Sequence, residues 1–105
     1  VNISFTKNQF AFDGQQNQLI ELLNSDSLLI KIGQFQGRAD YVFQLNEHTT
    51  SLFSFVIEGA FEFHERLLQP RDGLLIQRQT QVEFESLSNE AIILVIERKE
   101  AKAKG

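Results

Sequence analysis

The stretch from Leu52 to Arg78, LFSFVIEGAFEFHERLLQPRDGLLIQR, decides the fold class, because its apolar runs are short and sharp turn signals separate them. Leu52, Phe53, Phe55, Val56 and Ile57 form a run rich in β-branched and aromatic residues that stops at Glu58-Gly59. Such a run is too short for an ordinary helix and suits a buried strand that ends in a turn. Phe61 and Phe63 then alternate with Glu62 and His64. That period of two puts apolar side chains on one face of a half-buried strand, and Arg66-Leu67-Leu68 reads as its hairpin partner. In Gln69-Pro70-Arg71-Asp72-Gly73 the proline presets φ at about −65° and glycine tolerates positive φ, so the expected turn has its positive φ at Gly73. Leu74-Leu75-Ile76 is the third apolar run.

Outward from this stretch the same texture continues. Upstream, Val1 to Phe12 alternates as edge strands, Gln18 to Leu23 reads as a strand before the turn cluster Asn24-Ser25-Asp26-Ser27, and Leu28 to Phe35 is another apolar run. Tyr41, Phe43 and Leu45 alternate with Val42, Gln44 and Asn46, and Asn46 to Ser51 is polar enough to be a loop. Downstream, Val82 and Phe84 alternate with glutamates, and Ala91 to Ile96 is an unbroken apolar run suited to a central strand. About nine or ten short strands at roughly 8–12-residue spacing are the signature of an all-β sandwich or barrel. The arrangement that fits best is a jelly roll, two antiparallel sheets packed face to face.

At 105 residues the chain is read as a single domain over 1–98, with a charged, frayed tail over 99–105. A domain of this size can bury roughly two-thirds of its unfolded surface, enough for one core. No window approaches the roughly 18 consecutive apolar residues of a membrane helix. The absence of cysteine excludes disulfides, thiolate metal ligands and a cysteine nucleophile. A net charge of −4 with scattered Lys and Arg argues against a surface that tracks nucleic-acid phosphates. The opening Val1-Asn2-Ile3 shows no secretory pattern, so the expected location is cytoplasmic. It has two readings, a trimmed start or a domain cut from a longer protein.

With the strands placed, Phe12 to Glu97 resembles a cupin domain, and more narrowly the C-terminal cupin of pirin-like, quercetinase-type two-cupin proteins. The resemblance is carried by Asn17-Gln18-Leu19, Ile32-Gly33-Gln34-Phe35, the run from Phe53 to Gly59, Leu68 with Arg71-Asp72-Gly73, and Glu90-Ala91-Ile92-Ile93-Leu94. It implies that the N-terminal cupin of such a protein usually holds the metal and that the C-terminal one is a degenerate copy. In the metal-binding pattern that the resemblance implies, two histidines and a carboxylate precede the first glycine and a third histidine follows the second. Counted from Gly59, those positions fall on Asn46, His48 and Leu52; counted from Gly73, the last falls on Ile76. A divalent ion wants about three or more protein ligands, so His48 alone does not hold one.

Asn46, His48, Leu52 and Ile76 are therefore candidates for a ligand pocket rather than for a metal or catalytic site, and no cofactor is expected. His64-Glu65 reads as an exposed turn pair, Asp72 as a turn residue bonding its own backbone, and Phe53, Phe55, Phe61, Phe63 and Phe84 as core or as the lining of a flavonoid-sized cavity. The leading expectation is a non-catalytic cupin that forms a homodimer or docks to an N-terminal cupin domain through a strand-bearing face. The rivals are a quercetin-dioxygenase-like oxygenase and a metal-free binding domain for an apolar small molecule. Neither a nucleic-acid nor a membrane partner is expected.

Overall fold

The computed structural model describes residue 14 and residues 16–38 and 40–100. The strands expected over Val1 to Phe12 lie outside the described residues. Among the described residues nine strands form: β1 (Leu19–Asn24), β2 (Leu28–Phe35), β3 (Asp40–Gln44), β4 (Thr49–Glu58), β5 (Phe61–Phe63), β6 (Arg66–Leu68), β7 (Gly73–Gln77), β8 (Gln81–Ser86) and β9 (Ala91–Lys99). They make a five-stranded sheet in the order β1-β2-β9-β4-β7 and a four-stranded sheet in the order β3-β8-β5-β6. Every pairing is antiparallel. The chain passes repeatedly from one sheet to the other, so the all-β, jelly-roll expectation is met.

Alternation along each strand fills the space between the sheets. Leu52 and Val56 of β4 and Ile93 and Val95 of β9 join Phe35, Phe61, Phe63 and Phe84 in one buried cluster. The rings meet edge-on or stacked, Phe84 lying 5.0 Å from Phe35 and 5.6 Å from Phe63 between centroids. Those are the offset and T-shaped geometries that the ring quadrupole favours. A second apolar cluster, Ile32, Ile92 and Leu94 with Ile20, Ile30, Phe55, Ile57 and Ile96 packed against it, occupies the outer face of the five-stranded sheet.

Three local expectations need correction. The polar run Asn46 to Ser51 is loop only at its start, because Thr49 and Ser51 pair with Lys99 and Arg98 and lengthen β4. Likewise Lys99, assigned to the tail, is the last residue of β9, and the Glu100 N–H donates to the His48 carbonyl at 2.8 Å. In the Gln69–Asp72 turn the positive φ, 72°, belongs to Arg71 rather than to Gly73. This is the arrangement of a type II turn with proline at its second position. Gly73 is required for space instead: a Cβ there would lie 2.6 Å from the Phe53 ring. At Gly59 both reasons coincide, since φ is 74° and a Cβ would strike Ser88 and Ala91.

His64-Glu65 is the two-residue loop joining β5 to β6, with φ of 50° and 65°. Two successive positive φ values define a type I′ hairpin turn, whose twist matches that of the strands. Asp72 acts as expected, its Oδ2 accepting the Gln69 N–H at 2.8 Å.

Candidate functional site

The four candidate residues converge on the end of the sandwich where β4 begins and β9 ends. Register places Leu29, Glu97, Leu52 and Ile76 side by side on β2, β9, β4 and β7. Leu52 and Ile76 are thus direct cross-strand partners, both buried in the inter-sheet core. Asn46 and His48 stand outside it on the connecting loop, and the His48 side chain is 46% exposed. Its Nε2 lies 3.5 Å from Glu47 Oε1, an exposed contact that holds nothing in place.

The polar centre of this end is Glu97, which follows the Ala91–Ile96 run and was not among the candidate residues. Its side chain is fully buried, at 0% exposure. The signal was available in parity: Ala91, Ile93 and Val95 face inward, so Glu97 does too. One carboxylate oxygen, Oε1, accepts the Asn46 N–H at 2.9 Å and the Thr49 hydroxyl at 2.7 Å. The other, Oε2, lies 3.8 Å from Lys31 Nζ. Asn46 in turn folds the loop, its Oδ1 accepting the His48 N–H at 2.8 Å and its carbonyl the Thr49 N–H at 2.9 Å. A buried carboxylate costs stability unless it is paired and hydrogen-bonded; here the loop satisfies Oε1, whereas Oε2 is buried without a hydrogen-bond partner and has only the ion pair with Lys31.

Among the described residues no group of three or more His, Asp or Glu side chains is arranged to hold a metal ion. The interior in which an apolar ligand would sit is occupied by the Phe35, Phe61, Phe63 and Phe84 rings. A groove of about 500 Å³ lies on the outer face of the four-stranded sheet, lined by Asp40, Glu62, His64, Glu83 and Glu85 among others. Register sets Asp40, Glu85 and Glu62 in one row across β3, β8 and β5. None of the four candidate residues lines that groove.

Residues 13–97 match the family described as the quercetinase C-terminal cupin domain. The chain belongs to that family. Solved structures agree on the fold. The cupin is similar to KdgF from Halomonas sp., with a TM-score of 0.69 at 16% identity over 91% of this chain and 94% of that one. It is as similar to an RmlC-like cupin protein from Desulfovibrio desulfuricans, with a TM-score of 0.69 at 19% identity over 93% of this chain and 96% of that one. Bacterial pirin YhhW from Escherichia coli, solved in complex with nickel(II), matches with a TM-score of 0.62 at 12% identity over 70% of this chain and 31% of that one. The cupin thus spans about a third of that pirin's length. No curated protein matches the chain. Among the described residues no helix is long and apolar enough to cross a membrane.

Proposed function

We propose that this cupin is a non-catalytic domain whose metal site is degenerate and whose role is to pack against another cupin, either the N-terminal domain of a pirin-like protein or a second copy of itself. The observation that carries the reading is the Leu52–Ile76 pair. At two positions where the cupin pattern asks for a carboxylate and an imidazole, the chain places aliphatic side chains as cross-strand partners inside the apolar core. The carboxylate beside them, Glu97, spends Oε1 on hydrogen bonds from the loop, while Oε2, without a hydrogen-bond partner, is paired with Lys31 at 3.8 Å. His48 supplies a lone imidazole on the solvent side, which cannot set the geometry of an ion that needs about three protein ligands. Packing against another cupin is supported only by the rim of the outer face of the five-stranded sheet, where Phe53 and Leu75 are exposed while Ile32, Ile92 and Leu94 are already buried.

The test is elemental analysis after chelation and reloading with iron, nickel or copper. The expected result is no stoichiometric metal in the parent protein and no change in His48→Ala. Stoichiometric metal that disappears in His48→Ala overturns the proposal and restores the oxygenase reading.

A further inference from the structure

We draw no further inference here: the strongest candidate, the groove on the outer face of the four-stranded sheet lined by Asp40, Glu62, Glu65, Glu83 and Glu85, is a cluster of acidic side chains, and nothing in the structure shows what covers it.

Discussion

Along β4 and β9, side chains that point inward meet aromatic rings from the opposite sheet, whereas those that point outward meet apolar side chains of their own sheet. Both faces are apolar, so composition does not tell them apart. Position does: Leu52, Val56, Ile93 and Val95 are closed over by Phe61 and Phe84, while Phe53 and Leu75 on the other side remain open. The difference teaches that alternation fixes which residues share a face, and that the partner sheet closes the inner face throughout, whereas on the outer face Ile32, Ile92 and Leu94 are buried and Phe53 and Leu75 stay open. It also explains why one buried carboxylate is tolerated. Glu97 sits on the inner face but at its end, within reach of a loop that supplies donors.

The sharpest way to break that contrast is to remove one ring from the inside and one aliphatic side chain from the outside. Phe61→Ala is expected to cost about 3–5 kcal/mol in urea unfolding, because it combines lost transfer energy with a cavity between two sheets that cannot collapse together. Leu75→Ala, at the exposed rim, is expected to change monomer stability by less than about 1 kcal/mol. Similar costs at the two positions would mean that the faces are equivalent.

The polar end of the inner face gives the next largest effect. Glu97→Ala leaves the Asn46 N–H and the Thr49 hydroxyl without their shared acceptor and Lys31 without its ion-pair partner, and a loss of about 2–4 kcal/mol is expected. Glu97→Gln keeps one carbonyl oxygen for the loop and is expected to cost about half as much. Hydrogen exchange at Asn46 and His48 separates this role from general packing: those amides lose protection in Glu97→Ala well before the β9 amides do. Uniform loss across the sheet would show that Glu97 is not a local clamp.

The inner and outer faces were unequally legible in the sequence. Strand parity was readable wherever apolar and polar residues alternate, and the counted positions Leu52 and Ile76 proved to be neighbours across a ladder. Thr49 to Ser51 escaped because their polarity suggests a loop, while their pairing depends on Arg98 and Lys99 far along the chain. Glu97 escaped for the same reason, since its partners Asn46 and Thr49 are local to each other but distant from it in sequence. Gly73 was placed in the correct region for an incorrect cause, because Asp-Gly is a strong turn signal and the ring of Phe53 can be seen only once β4 and β7 are paired. Gly73→Val is still expected to destabilise by about 1–3 kcal/mol, through overpacking against that ring. The double variant Phe53→Ala/Gly73→Val recovers part of the loss if contact is the cause, and none of it if backbone strain is.

The smallest effect is expected at a place that belongs to neither face. The β5–β6 hairpin turns through His64-Glu65, which both hold positive φ although His tolerates it less well than Asn or Gly and Glu is poorly suited to it. Asn-Gly is the preferred pair for this turn type, so replacing His64-Glu65 with Asn-Gly is expected to stabilise by about 0.5–2 kcal/mol. The substitution keeps the backbone N–H at position 64 that donates to the Glu83 carbonyl at 3.0 Å, and it removes side chains that line the outer groove without entering the core. Any gain therefore combines relief of backbone strain with removal of the Glu65 charge from the acidic groove, and a Glu65→Gln control separates the two. A rise in melting temperature of a few degrees with an unchanged denaturant slope is the expected reading. A fall would instead assign His64 or Glu65 a stabilising contact across the acidic row of Asp40, Glu85 and Glu62, and would move attention from the sandwich interior to the outer face of the four-stranded sheet.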